Sequence, residues 1–292
     1  MSGLTDALLA RLAADGLDPD QVCASVAGAL AEDVPGEDVT SAATIDPVVE
    51  GRADLVARAD GVVAGTAVAD LVFRTVDPDA EVVHAVSDGD HVVRGQLLMT
   101  ALGRVTSLLT AERTALNYLC HLSGVASTTS HWVAALAGTS TRVRDTRKTT
   151  PGLRALEKYA VRCGGGVNHR ATLSDQALVK DNHVLAAGGV VAAYEAVRSS
   201  YPDLPVQVEV TTLDQLRDLL AAGAPEILLD NMSVDQMAEA VRITAGRARL
   251  EASGGLTLDR AREVAATGVD FVAVGALTHS APVLDIAMDL RS

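Results

Sequence analysis

Two acidic side chains lie in strongly apolar surroundings, where an unpaired carboxylate is costly to bury. Glu209 interrupts the run Val206-Gln-Val-Glu-Val, and Asp230 ends the run Ile227-Leu-Leu-Asp. Such groups need a cation partner, and two carboxylates from neighbouring segments suit Mg²⁺, which prefers oxygen ligands and keeps substrate phosphates in its shell. We expect both acids in a site. The alternative is a structural ion pair or, for Asp230, a cap on the helix that begins near Ser233.

The positive charge of the chain is concentrated in one window. The 292 residues carry 24 Lys and Arg against 38 Asp and Glu, a net charge of −14, whereas residues 142–180 hold nine basic and three acidic residues. An acidic chain is a poor general binder of nucleic acid, and one basic island predicts a small, strongly anionic ligand. Within the window, Arg154, Lys158 and Arg162 have helical spacing, and we expect them to form a solvated helix face.

Four of these basic residues and one histidine lie close to the first two apolar runs of this region: Arg147, Lys148, Arg170, Lys180 and His169. Arg matches carboxylates with two parallel hydrogen bonds, whereas Lys acts as a point charge for phosphate. We therefore expect an anion site here. For His169, a ligand role and a structural role are equally open.

Two glycine turns follow the last two apolar runs. Ser253-Gly254-Gly255 comes after Arg249-Leu-Glu-Ala, and Gly275 comes after Phe271-Val-Ala-Val. The backbone N–H groups of such turns, with the helix N-termini behind them, commonly bind phosphate in barrel enzymes. The two turns together predict a phosphate site.

These residues require a scaffold that brings strand ends together. From residue 142 onward, short β-rich runs alternate with helical spacing, which predicts parallel strands with crossover helices. The predicted strands are 141–145, 177–180, 206–210, 227–230, 249–252 and 271–274. In a (β/α) barrel the C-terminal strand ends build the active site. Six units are fewer than eight, so we expect an incomplete (β/α) barrel. An open doubly wound sheet is the alternative, but no GxGxxG follows the first strand.

The first half of the chain has a different pattern. Helical spacing over the first 30 residues gives way to short Val-rich runs with turns over 48–105, which predicts an α+β open-sandwich domain. We predict domains at 1–113 and 114–280, with 281–292 packing back on the first.

The uncharged stretch 114–141 is too rich in Ser, Thr, Asn and His for a membrane span and predicts a buried helix. No signal peptide is expected, and three isolated cysteines favour a reducing compartment, the cytoplasm.

The motifs resemble those of the quinolinate phosphoribosyltransferases, in order and over nearly the whole chain. They are EDVPGEDVT at 32–40, ERTALN at 112–117, DTRKTTPG at 145–152, GGVNHR at 165–170, LVKDNH at 178–183, VEV at 208–210, LDNM at 229–232, EASGG at 251–255 and VGALTH at 274–279. The DTRKTTPG and NHR segments together are the most specific part of the match.

The resemblance implies phosphoribosyl transfer from phosphoribosyl pyrophosphate to quinolinate, with loss of CO₂, to give nicotinate mononucleotide for NAD synthesis. It implies Mg²⁺ on Glu209 and Asp230, no organic cofactor, and Lys148, Glu209 and Asp230 as catalytic residues. The substrate contacts that it implies are Arg113, Thr146, Arg147, Lys148, His169, Arg170, Lys180, Glu209, Asp230, Ser253, Gly254, Gly255, Val274, Gly275 and Ala276.

In this family Arg113 would reach the site of a partner subunit, so a homodimer with shared active sites, or a larger assembly of such dimers, is expected. Neither nucleic acid nor a membrane is expected as a partner. Three alternatives stay open from the sequence: a salvage transferase that uses nicotinate, a homologue of the same fold associated with metal transport, and a non-catalytic barrel that binds a phosphosugar.

Overall fold

The computed structural model describes residues 6–291, which divide into two compact units. The strands are β1 (Glu50–Ala57), β2 (Gly61–Val62), β3 (Glu81–His84), β4 (His91–Val92), β5 (Leu97–Arg104), β6 (Arg142–Arg144), β7 (Ala177–Val179), β8 (Val206–Val210), β9 (Glu226–Asp230), β10 (Arg249–Ser253), β11 (Phe271–Ala273) and β12 (Ile286–Arg291). The α-helices are α1 (Asp6–Ala14), α2 (Pro19–Asp33), α3 (Val39–Thr44), α4 (Thr66–Val76), α5 (Val105–Ala135), α6 (Arg154–Cys163), α7 (Asp181–Ala187), α8 (Val190–Ser200), α9 (Leu213–Ala221), α10 (Val234–Thr244), α11 (Ala261–Ala265) and α12 (Ala276–His279).

Unit 1 comprises the described residues up to 130, with 150–165 and 280–291. Its four-stranded sheet has the order β12-β1-β5-β3, and every pair in it is antiparallel. Helices α1, α2 and α4 pack together, and the fully buried Phe73 and Leu71 of α4 contribute to the core. The α+β character predicted for the first half of the chain agrees with this unit.

Unit 2 comprises residues 131–149 and 166–279 and contains a six-stranded parallel sheet of order β6-β11-β10-β9-β8-β7. The predicted strand–helix alternation is confirmed, and every strand bound lies within one residue of the prediction. β6 and β7 are edge strands, and Val167 adds a single parallel bridge beside Arg144 of β6. The barrel is thus incomplete, as predicted.

Local signals explain where the helices of unit 2 begin. Thr212 follows β8 and Ser233 follows β9, and their side chains accept hydrogen bonds from the backbone N–H groups of Gln215 and Gln236. The side chains of the two glutamines accept from the backbone N–H groups of Thr212 and Ser233 in return, so each pair forms a capping box. Ser233, not Asp230, therefore caps α10, and the cap alternative for Asp230 is wrong. Because Asp230 does not cap α10, its carboxylate is available for a site at the carboxyl end of β9.

Two further expectations fail. Lys158 is 4 % exposed and Arg154 is half-buried, because α6 is buried around most of its circumference, so the solvated face predicted for these residues and Arg162 holds at Arg162 alone. The spacing of Leu258 and Val264 predicts a helix after β10 with both residues on its apolar face, but Leu258 is 43 % exposed on a short 3₁₀ turn, while Val264 is buried. Between residues 6 and 291, no helix is both long enough and apolar enough to cross a membrane.

Candidate active site

The barrel strands of unit 2 turn polar side chains inward. Successive side chains of a strand point to opposite faces, so Gln207 and Glu209 share the face of β8 that Glu226, Leu228 and Asp230 share on β9. On β10, Glu251 and Ser253 continue this face, since Glu251 pairs in register with Leu228, and Ser253 with Asp230. The interior is therefore layered, with Asp230 and Ser253 at the carboxyl end.

This carboxyl end holds a cavity of about 350 Å³. Its lining residues are Thr146, Arg147, Lys148, His169, Arg170, Leu178, Lys180, Glu209, Leu228, Asp230, Glu251, Ser253 and Ala273. Nine of the fifteen residues predicted from the sequence are among them, including every predicted cation except Arg113. The cavity therefore brings together four Lys and Arg side chains and the two predicted carboxylates.

The two predicted carboxylates influence each other. Burial raises the pKa of Glu209, and the nearby negative charge of Asp230 raises it further, while Lys180 and Lys148 act in the opposite direction. An acid whose ionisation is disfavoured by a neighbouring carboxylate is suited to sharing a cation with that neighbour. This arrangement agrees with the donor set expected for a hard metal ion.

The two arginines of the cavity also lie close together. Burial lowers the pKa of Arg170, and the positive charge of Arg147 lowers it further. The Nη1 of Arg170 donates to the backbone carbonyl of Gln176 at 2.9 Å, but the buried Nε atoms of both arginines have no hydrogen-bond partner among the described residues. Buried donors without acceptors are unfavourable, so this part of the cavity is suited to a small anion.

Asp145, at the end of β6, anchors the loop that carries His169. Its carboxylate is fully buried and accepts from the backbone N of His169 at 2.7 Å and from Nδ2 of Asn168 at 2.6 Å. Sequence reasoning treated Asp145 only as part of a motif. Its role here is to fix the backbone beside the cavity.

The glycines of the two turns flank the cavity without lining it, whereas Ser253 of the first turn lines it. Gly254 has φ +95°, and a Cβ there would lie 2.2 Å from Oδ1 of Asn231, so only glycine fits. A Cβ on Gly275 would lie 3.0 Å from Cδ of Lys148, and the hydroxyl of Thr278 donates to the Lys148 carbonyl at 2.7 Å. Gly255 and Ala276 are exposed and Val274 is buried. The turns thus hold Asn231 and Lys148 in place, and their phosphate role stays a prediction.

Arg113 is not part of this cavity. It lies on α5 in unit 1, where its side chain is exposed. The structure therefore leaves its predicted role in a partner subunit's site as a prediction.

Sequence reasoning missed a buried ionic layer beneath the cavity. Nη1 of Arg144 donates to Oε1 of Glu226 and to Oε2 of Glu251, both at 2.6 Å, and its guanidinium stacks 3.6 Å from the ring centroid of Phe271. The available signal was an acid at the start of β9 and another in the middle of β10, each next to apolar residues. Together with His169, Glu226 and Glu251 have ligand atoms within 4.8 Å of one another, but Arg144 already bridges the two carboxylates and Arg249 pairs with the other oxygen of Glu226.

Comparison with known proteins agrees with the site. The sequence models of the quinolinate phosphoribosyl transferase N-terminal and C-terminal domains match residues 38–123 and 125–289. The chain belongs to the quinolinate phosphoribosyltransferase family. A family member from Mycobacterium leprae, named nicotinate-nucleotide pyrophosphorylase [carboxylating], is 51 % identical over 268 residues, which cover 90 % of this chain and 94 % of the relative.

Solved structures of the family share the fold. The crystal structure named NadC from Streptococcus pyogenes has a TM-score of 0.91 at 43 % identity, over 94 % of this chain and 98 % of that chain. A nicotinate-nucleotide pyrophosphorylase from Francisella tularensis has a TM-score of 0.90 at 37 % identity, over 93 % and 96 %. The predicted fold class, and the resemblance drawn from the motifs, are confirmed.

Proposed function

We propose that this chain transfers the phosphoribosyl group of phosphoribosyl pyrophosphate to quinolinate and releases pyrophosphate, CO₂ and nicotinate mononucleotide, a step of de novo NAD synthesis. One observation carries the proposal. A single cavity combines Arg147, Lys148, Arg170 and Lys180 with the acids Glu209 and Asp230. Quinolinate has two carboxylates and the sugar donor has two phosphate groups, so both substrates need cations, whereas the reacting sugar carbon needs negative charge beside it.

In the transfer step, the pyridine nitrogen supplies the electron pair of the new bond to the anomeric carbon. The bond from that carbon to pyrophosphate breaks, and its electron pair leaves with pyrophosphate. Glu209 and Asp230 stabilise the positive charge that develops on the sugar and hold its hydroxyls. Arg147 and Arg170 hold the quinolinate carboxylates, and Lys148 and Lys180 neutralise the departing anion. Catalysis is then mainly positioning and electrostatic stabilisation.

Decarboxylation follows from the charge of the new pyridinium. The carboxylate next to the ring nitrogen leaves as CO₂, the electron pair of the broken bond stays on the ring carbon, and that carbon takes up a proton from water. The cationic ring stabilises this electron pair, so the protein has only to keep the ring in place. The second carboxylate stays in the product.

We further propose Mg²⁺ as the metal, and that no organic cofactor takes part. Glu209 and Asp230 are the residues that would hold the ion, and their oxygen donors and mutual repulsion fit a hard divalent cation. When bound, Mg²⁺ supplies charge neutralisation for pyrophosphate. The turns at Ser253–Gly255 and Val274–Ala276 would receive the 5′-phosphate, and Thr146 would contact the substrates.

The experiment is a product assay on the purified chain. We expect pyrophosphate and CO₂ in equal amounts from quinolinate, phosphoribosyl pyrophosphate and Mg²⁺, and neither when the metal is removed with a chelator. Nicotinate in place of quinolinate distinguishes the salvage reaction, which releases no CO₂. Turnover with nicotinate alone, or binding of the phosphosugar without turnover, contradicts the proposal.

The assembly that we propose is a homodimer in which Arg113 of each chain completes the partner's site. The functional division at 1–113, 114–280 and 281–292 accompanies this proposal, because the first segment would then supply Arg113 and the second the cavity. We place the enzyme in the cytoplasm, which is consistent with its three free cysteines.

A further inference from the structure

The ring of His169 is held by hydrogen bonds at both nitrogens. Its Nδ1 accepts from the backbone N–H of Arg170 at 2.7 Å, and its Nε2 lies 2.7 Å from Oε1 of Gln207. A backbone N–H can only donate, so Nδ1 carries a lone pair and the proton of the neutral ring is on Nε2. His169 therefore donates to Gln207.

The orientation of the Gln207 amide is fixed from its other side. Its Nε2 donates to Oε1 of Glu226 at 3.2 Å, which leaves the amide oxygen to face His169. Gln207 is fully buried and Glu226 is 3 % exposed, so water does not compete for these bonds. A glutamine between a carboxylate and a histidine thus transmits the polarity of the acid to the ring.

Glu226 in turn belongs to the ionic layer. Arg144 bridges Glu226 and Glu251, and Oε1 of Glu251 lies 3.8 Å from Nε2 of His169 with no hydrogen-bond partner among the described residues. This carboxylate lies beside the same ring edge as Gln207. Negative potential at Nε2 favours the tautomer with its proton there.

We propose that Gln207, Glu226 and Glu251 are positioning residues that hold His169 as the Nε2–H tautomer and, through its Nδ1, fix the backbone of Arg170. This inference rests on the proposed function, because Arg170 is assigned to the quinolinate carboxylates. The layer replaces the branched apolar side chains that usually fill a barrel interior. The layer connects the barrel core to the part of the cavity that contains Arg147 and Arg170.

The first test is spectroscopic and needs no substrate. In ¹⁵N-histidine-labelled protein, long-range ¹H–¹⁵N NMR separates a protonated ring nitrogen from an unprotonated one, and His169→Asn identifies the signal among the seven histidines. We expect the Nε2–H tautomer in the wild type and a mixture of tautomers in Gln207→Met, which removes both hydrogen bonds at similar volume. A wild-type ring protonated on Nδ1 overturns the proposal, whatever the variants do.

The second test separates positioning from general damage. Gln207→Met should raise the KM for quinolinate about 10–100-fold, the range seen when an outer-shell partner of a site is lost, with a smaller change in the KM for phosphoribosyl pyrophosphate. Thr244→Val is the matched control. Thr244 is 2 % exposed in the same unit, its hydroxyl has no partner among the described residues, and it does not line the cavity. This control should leave both KM values unchanged.

Gln207→Glu provides a rescue. It keeps an acceptor for Nε2–H of His169 but loses the donor to Glu226 and adds a carboxyl group beside that acid, so the tautomer should survive while the KM for quinolinate rises less than in Gln207→Met. Equal loss in both substitutions, or no change in Gln207→Met, overturns the proposal. If the wild type does not turn over quinolinate, the proposed function fails, while the NMR result still decides the tautomer and its dependence on Gln207.

Discussion

Glu209 is an acid whose environment opposes its ionisation, since burial and then Asp230 raise its pKa. A raised pKa means that the folded state pays for the charge above that pKa, and the cost vanishes as the pH falls below the pKa of the unfolded chain. We therefore expect Glu209→Gln to be more stable than wild type at neutral pH, by about 1 kcal/mol or less, or roughly 2–4 °C in Tm for a chain of this size.

The same substitution should lower kcat about 10²–10³-fold, the loss typical of one electrostatic contact to a transition state. Thermal unfolding from pH 4 to pH 8, followed by the product assay, checks both statements. A variant that is less stable than wild type at neutral pH would show that Glu209 is paired within the fold rather than held for a ligand.

Lys180 tests the cationic side of the cavity. Lys180→Ala should lower kcat/KM for phosphoribosyl pyrophosphate about 10²-fold, because a charge facing a departing anion is lost. Arg242→Ala is the control, since Arg242 is an exposed cation of the same unit that pairs with Glu239 on α10. Steady-state kinetics of the two variants should differ, and equal rates would remove Lys180 from the site.

Individual residues show which parts of the site could be predicted from the sequence. Glu209, Asp230 and Lys180 were predicted because the carboxyl ends of parallel strands converge, so residues at those ends share one place. The prediction that Lys158 is solvated was wrong, because helical spacing does not reveal what packs against a helix face. Gln207 was missed because its role depends on a hydrogen-bond chain across four strands, and such a chain has no local periodicity.

The turn after β10 carries the sharpest steric constraint at the level of elements. Gly254 combines a positive φ with close contact to Asn231, whereas Gly223 has φ +78° and nothing within 4 Å of an added Cβ. Gly223→Ala should cost about 1 kcal/mol, the usual strain of a left-handed residue. Gly254→Ala should cost more, and it should also impair turnover by shifting Asn231 beside Asp230.

Urea unfolding and kinetics of the two glycine variants check this difference. Equal stability losses, or full activity in Gly254→Ala, would mean that the turn relaxes without disturbing the site. Elements themselves were largely predictable, because strand and helix periods alternate clearly from residue 142. The parallel bridge between Val167 and Arg144 was not predictable, since one paired residue leaves no periodic pattern in the sequence.

For the whole molecule, the shared-site proposal predicts complementation. Arg113→Ala and Lys148→Ala chains should each be inactive as homodimers. After refolding together, random pairing puts half of the chains in mixed dimers with one intact site each, so roughly a quarter of the wild-type activity should return. Gel filtration of the mixture confirms that dimers have formed. Dimers without activity would place Arg113 outside the partner subunit's site.

Strand β12 has a consequence for the order in which the protein is made. It pairs with β1 through contacts such as Ala57 with Ile286, although the strands are separated by the entire barrel in the chain. During synthesis, β1 therefore emerges early and keeps an unpaired edge while the ribosome produces all six barrel strands. Unpaired edges are where nascent chains associate wrongly. The barrel region can thus finish folding first, and the sheet that begins the chain is the last to be completed.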